Sequence, residues 1–540
     1  MSTHDFGQVS RTVGTVFRYA LLAATLVGVV ALGILLLFVA VDAIQPLTAD
    51  PGWHLTFFLS FVLPTLAVSG YLYLRAPDSL RAGGAIVGLL AVTTMFAGGV
   101  VLIFVDIVSP IAWFGFVLAL ALPAGVLALV SRTLSPGMGT SVGLGALLLY
   151  LSLAGVPGPL GGVVGLAPVA PSVIALVGSI PVLPVDWMLL AVSVSLPVGL
   201  LAGSYVASYT DRRGGTAALG LTVALGVAAS LAAPSLGISA GPSLLLATVI
   251  GVPAGLAVWR SWETDRLALA VPAVVVGGAF VGAVAVELLG FAGPQSWVDW
   301  QFLTSAHSRI AEDAGLYPAI GGSILLMGAV IVLSFPFGVG AAIYMEEYAP
   351  DNRITRLIDV NISNLAGVPS VVYGLLGLGV FVRFAGQPTG TVLVGGATLS
   401  LLILPIIIIS SREAIRSVPE EMRQASYGMG ATRWQTVKNV VLPRAFPGIL
   451  TGTILALGRA IGETAPLIMI GAPDVVFSLP AELSAKVSAM PLQVYAWATL
   501  YGSPEFYQKA VPAGVVVLVS VLLAMNSLAI VLRNRYQNEQ

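Results

Sequence analysis

Apolar stretches of spanning length, separated by polar turns, recur along the whole 540-residue chain. About 20 apolar residues carry a helix across the hydrocarbon core, so each stretch predicts a membrane-spanning helix. Eight fall near 19–41, 54–74, 83–105, 110–131, 138–155, 186–209, 215–234 and 241–260. Six more fall near 267–291, 315–344, 357–384, 392–411, 446–471 and 510–532. Residues 156–185 are apolar but crowded with glycine and proline, which leaves a loop, a re-entrant piece and a broken span open. The expectation is an all-α polytopic membrane protein of about fourteen spans. Arg11 and Arg18 precede the first stretch as they would in a signal peptide. That stretch nevertheless outruns the 7–15 residues of a cleavable core and predicts a retained span.

Composition agrees with the pattern. Charged residues make up 9% and apolar types 57%, with a mean hydropathy of +0.97. No soluble core of this length hides so much apolar surface. Cysteine is absent, which excludes disulfides, thiolate metal sites and a cysteine nucleophile. His4, His54 and His307 are too scattered for a metal cluster. A net charge of −1 without a basic tract gives no indication of nucleic acid.

The few positive residues set an orientation through the positive-inside rule. With the N-terminus cytoplasmic, 19 of the 24 Lys/Arg fall inside, while Arg309, Arg383, Lys486 and Lys509 fall outside and Arg459 lies within a span. Both termini are then cytoplasmic.

Two unlike parts follow from loop length. Residues 1–266 have only short cytoplasmic turns, whereas 267–540 carry external segments at 292–314 and 472–509 and a long cytoplasmic loop at 412–444. The external segment 472–509 reads as amphipathic pieces. In the cytoplasmic loop, Pro419 suits a first helical position, and Glu420 and Glu421 suit the positive end of a helix. Gly428 and Gly430 break that helix, and Thr432 with Gln435 reads as a capping box opening a second helix that stops before Pro443. Such a helix–turn–helix is either a docking element or a solvated linker.

Gln424-Ala425-Ser426, three residues, Gly430, nine residues and Val440-x-Leu442-Pro443 resemble the EAA loop of ABC importer permeases. In that family the loop seats on an ATPase subunit, so the resemblance gives Gln424, Ala425, Ser426, Gly430, Leu442 and Pro443 a coupling role. The segments "GLYPAIGGSILLMGAVIVLSFPFGVGAAIYMEEYAPDN", "NLAGVPSVVYGLLGLGVF" and "GRAIGETAPLI" are similar to the PstA-type permease of the phosphate-specific importer. The likeness covers about 267–533 and leaves 1–266 as an extension of unknown role. It implies a six-span permease core in the plasma membrane, moving inorganic phosphate or, as an alternative, sulfate or molybdate. It also implies a PstC-type sister permease, PstB-type ATPase subunits and an extracellular PstS-type phosphate-binding protein. The chain has three lysines and no GxxxxGK[ST], so ATP and Mg belong on the separate ATPase, and no cofactor or metal on this chain. An ion-coupled secondary transporter fits less well, because only Glu463 lies deep in a span and Glu287 sits near an outer end. An intramembrane enzyme finds no metal pattern or acid pair.

Arg459 and Glu463 lie at the middle of the span expected at 446–471, four residues apart and so on one helical face. A lone charge there costs about 2.5–3.5 kcal/mol. The pair is either a self-neutralising structural lock or a pathway element, in which Arg459 attracts the anion and Glu463 moderates it. Gly452, Ala456, Gly462 and Pro466 on that face admit a close neighbour or a pore. The glycines and Pro369 of 363–379 mark either close helix packing or a broken helix along the pathway. Glu346, Glu347 and Asp351 read as a solvated turn, and Trp53, Trp187, Trp297 and Trp300 as interfacial anchors.

Overall fold

A computed structural model describes residues 11–134, 138–155, 171–180, 186–480, 482–501 and 503–538. Among these, helix dominates, and one isolated bridge, Thr391 to Lys486, is the sole strand-like pairing. Among the described residues twelve helices are long and apolar enough to cross a membrane, or thirteen if one bent pair counts as a single span. The chain is an all-α, multi-pass membrane protein.

In chain order the helices are α1 (Arg11–Ile44), α2 (Pro51–Arg75), α3 (Pro77–Ile107), α4 (Pro110–Leu134) and α5 (Met138–Ala154). Next come α6 (Asp186–Ala207), α7 (Arg212–Ser235), α8 (Ala240–Thr264), α9 (Arg266–Leu289) and α10 (Tyr317–Tyr348). The bent pair α11 (Arg353–Ala366) and α12 (Ser370–Phe384) follows, then α13 (Val392–Arg416). The remainder are α14 (Glu420–Gly428), α15 (Arg433–Ile461), α16 (Ala465–Met469), α17 (Met490–Thr499) and α18 (Val511–Asn538).

Three expected spans differ. Helix α5 has 17 residues, short of a full crossing. The stretch 357–384 divides at Gly367–Pro369 and bends by 105°, because Pro369 has no N–H and pushes Val368 out of helical geometry. The stretch 446–471 stops at Ile461 and restarts as the short α16. Of residues 156–185, 156–170 and 181–185 lie outside the described residues; between them Ser172 caps a short helix, Val173–Gly178.

The chain forms two compact units, one of residues 1–55, 286–478 and 482–540, the other of 56–285 with 479–481. The first helix thus groups with the C-terminal half, where the loop pattern had suggested a division at 266. Within the first unit α1 lies against α18. Its end is sewn to the start of the segment 292–314: Trp297 N–H donates to the Ala43 carbonyl (2.8 Å) and Asp50 N–H to the Ala292 carbonyl (3.0 Å). Asp50 Oδ2 accepts from Ala292 N–H (2.7 Å), and Thr48 Oγ1 accepts from Gln295 N–H (2.8 Å).

The centre of this unit is the packing of α10 on α13, where Leu326, Val330, Leu399, Ile403 and Ile407 are buried. In lipid the gain comes from dispersion and close approach. Between 472 and 509, α17 buries seven of its ten residues, with Trp497 wholly inside. It is a core helix, not one of the amphipathic pieces expected between 472 and 509.

Candidate translocation and coupling site

The loop at 412–444 folds as its local signals require. Helix α14 opens after Pro419 with Glu420 and Glu421 in its first turn. It ends in a turn in which Gly430 takes φ +83°, a conformation that costs other residues about 1–2 kcal/mol. Thr432 then caps α15: its hydroxyl accepts from Gln435 N–H (3.3 Å), and Gln435 Oε1 accepts from Thr432 N–H (2.8 Å). A buried bond between the Ser426 and Thr436 hydroxyls, 2.9 Å, ties the two arms together. Removing one partner of such a bond costs about 1–3 kcal/mol.

The second arm does not stop before Pro443. A widened turn at Val437–Val441 lets α15 continue to Ile461, with Leu442 and Pro443 at the start of its regular part. A proline tolerates that place because its missing N–H coincides with the irregular turn. The loop is therefore rigidly continuous with the span. Gln424, Ala425, Gly428, Met429 and Trp434 are exposed on its outer surface, while Ser426 is buried.

At the far end of α15 sits Arg459. The helix breaks at Gly462–Thr464, and Arg459 Nε lies 3.4 Å from Glu463 Oε1. The guanidinium side chain is 47% exposed and the carboxylate 18%. Glu463 is in the break, not one helical turn up a straight span. Irregular backbone at membrane depth is stable only in protein or beside water, and the C-terminal end of a helix favours a cation. The small residues beside the pair divide in role. Gly452 lets α15 close on Ser410 and Ala456 is buried, so both serve packing inside the chain, whereas Gly462 touches no neighbouring helix, only the Arg459 carbonyl at 3.7 Å from its Cβ position.

The second break faces the first. Helix α12 packs on α16, with Gly374 lying against Pro466 and Met469. Tyr373 O–H donates across the bend to the Leu365 carbonyl (2.9 Å) and lies within electrostatic reach of Arg459. Residues 363–379 therefore hold both a broken helix and a glycine packing surface.

Sequence reasoning missed the acids that follow α10's apolar part. Glu346 accepts from Arg412 Nε (2.6 Å) and Arg416 Nη2 (2.7 Å), and Glu347 accepts from Arg423 Nη2 (3.1 Å). Arg412 also binds Asp359 of α11. Asp351 alone fits the solvated reading, its side chain 92% exposed beside Arg356. The signal available was the pair of adjacent acids opposite several arginines of the loop.

A family model described as a binding-protein-dependent transport system inner membrane component matches residues 334–537. The probable ABC transporter permease protein YqgI of Bacillus subtilis is 37% identical over 208 residues, 38% of this chain and 69% of that protein. The chain belongs to this permease family. Phosphate transport system permease protein PstA of Yersinia pestis is 32% identical over 219 residues, 40% of this chain and 71% of that protein. PstC of Mesorhizobium japonicum is 33% identical over 231 residues, 37% of this chain and 68% of that protein. The ABC importer permease is thus a transport subunit, and its matched region contains both the loop and the Arg459 break.

Proposed function

We propose that this permease serves an ATP-driven importer of inorganic phosphate. The observation that carries the reading is Arg459, a half-exposed guanidinium at a helix break, directly continuous with the cytoplasmic loop. A permanently charged fork suits transient contact with a doubly charged tetrahedral oxyanion. Glu463 weakens the hold, so that the ion leaves. Relatives named as phosphate transport permeases support the choice of anion.

ATP is hydrolysed by a separate ATPase subunit, in keeping with the lack of a P-loop in the sequence. Gln424, Ala425 and the turn at Gly430 form the surface on which that subunit sits. One loop per chain calls for a second, PstC-type permease to seat the other ATPase, and an external binding protein to deliver phosphate. The excess of Lys and Arg on one set of turns supports a cytoplasmic position for both termini and this loop. The permease body comprises α1 with residues 286–540, and 56–285 is an inserted membrane module.

Uptake by the reconstituted complex, with phosphate, arsenate, sulfate and molybdate compared, tests the reading. ATP-dependent uptake of phosphate and arsenate is expected. A preference for sulfate or molybdate reassigns the anion.

A further inference from the structure

The acids of α10 and the arginines opposite them belong neither to the exposed face of the loop nor to the Arg459 break. We propose that Glu347 and Arg423 form a rigid strut through which the docking helix α14 moves α10, and that Arg412 extends it to the broken span. The proposal rests on the reading of this chain as an ATP-driven permease.

Arg423 is the junction. Its side chain is 12% exposed and that of Glu347 6%. Its Nε and Nη2 donate to Glu347 Oε1 at 3.2 and 3.1 Å. Its Nη1 donates to the Val418 carbonyl (2.5 Å) and Nη2 to the Ile415 carbonyl (2.9 Å). One planar group thereby holds three elements in register: α14, the C-terminal end of α13, and the end of α10. The neighbouring Glu346 accepts from Arg412, whose second bond reaches Asp359 on α11.

Burial gives these contacts their mechanical meaning. Apolar side chains slide past one another at little cost, but pulling apart a desolvated ion pair leaves two unsolvated charges. A guanidinium fork also fixes angle as well as distance. A displacement of α14 is therefore passed to α10 and α11 as rigid motion. The exposed pairs nearby, such as Asp351–Arg356, carry no such constraint.

The test uses the complex of this chain with its partner permease and ATPase in proteoliposomes, with phosphate uptake and ATP hydrolysis measured in the same vesicles. Glu347→Gln and Arg423→Gln should each lower uptake per ATP hydrolysed about tenfold, with the ATPase still co-purifying. The double variant should be no worse than either single one. Asp351→Asn should keep the wild-type ratio. Should Arg423→Gln fail to reach the membrane, Glu347→Gln, which keeps an amide oxygen opposite Arg423, supplies the measurement. A wild-type ratio in Glu347→Gln, additive losses in the double variant, or a parallel fall in assembly with an unchanged ratio each overturn the strut. Wild-type vesicles without ATP-dependent uptake would instead sink the parent reading.

Discussion

Arg459 Nε and Glu463 Oε1 lie 3.4 Å apart across the break that ends α15, and only the acid is largely covered. A pair with one partner half in the open contributes little to stability, about 0–1 kcal/mol. Arg459→Gln is accordingly expected to leave assembly and the thermal midpoint near wild type while abolishing uptake. Arg459→Lys, which keeps the charge and loses the fork, should retain part of it. A large drop in midpoint or loss of the partner permease in Arg459→Gln would return the pair to a structural role.

The two glycines of the loop turn answer differently to the same methyl. Gly430 has free space around its Cβ position but a φ of +83°, so Gly430→Ala is strained by backbone alone, about 1–2 kcal/mol. Gly428 closes α14 with open space and ordinary helical backbone, and Gly428→Ala should be neutral or stabilising by up to about 1 kcal/mol. Thermal unfolding of the purified chain distinguishes them. Gly430→Leu should in addition uncouple hydrolysis from uptake while still inserting in the membrane; full uptake in that variant argues against the docking loop.

His307 gives the segment between α9 and α10 a pH dependence. It is buried, and its Nδ1 accepts from Trp497 Nε1–H at 3.0 Å. Burial, and secondarily the charge of Arg309, hold its pKa below the ordinary 6.5. The unfolded chain therefore takes up this proton first, so the stability contribution is complete above pH 6.5 and is lost as pH falls toward the depressed value. The thermal midpoint should drop as pH falls below about 6.5. His307→Asn keeps an acceptor for Trp497 and should flatten that slope; an unchanged slope would place the titration elsewhere.

What was legible in the sequence was local. The Thr432–Gln435 capping box and the Gly430 turn rest on neighbours within a few residues, and apolar length alone announced most spans. Glu346 and Glu347 were misread because their partners Arg412 and Arg423 lie 66 and 76 residues on, and nothing local names them. The breaks at Gly367–Pro369 and Gly462–Thr464 were visible as residue types. A broken helix was one of two readings the first allowed; the second read as part of one continuous span, because an apolar run has no polar face to show where a helix ends. Pro443 misled in the opposite direction, since a widened turn absorbed its missing donor.

The junction between Asp50 and Ala292 bears on the insertion most directly. Their backbones are bonded at 3.0 Å, with Asp50 Oδ2 returning a second bond to Ala292 N–H, so the chain leaves the permease body and re-enters it at one point. Trp297 bonded to Ala43 holds the flanks in place without the segment between. Replacing residues 51–291 by a linker of about two or three glycines therefore spans no extra distance. It also shortens a closed loop, whose entropy cost grows only slowly with length. The shortened chain should insert, pair with its partner permease and support ATP-dependent phosphate uptake in proteoliposomes. A chain that inserts and assembles but no longer transports would make the module part of the transport cycle. One that fails to assemble would show that α1 depends on residues 56–285 for its place against α18.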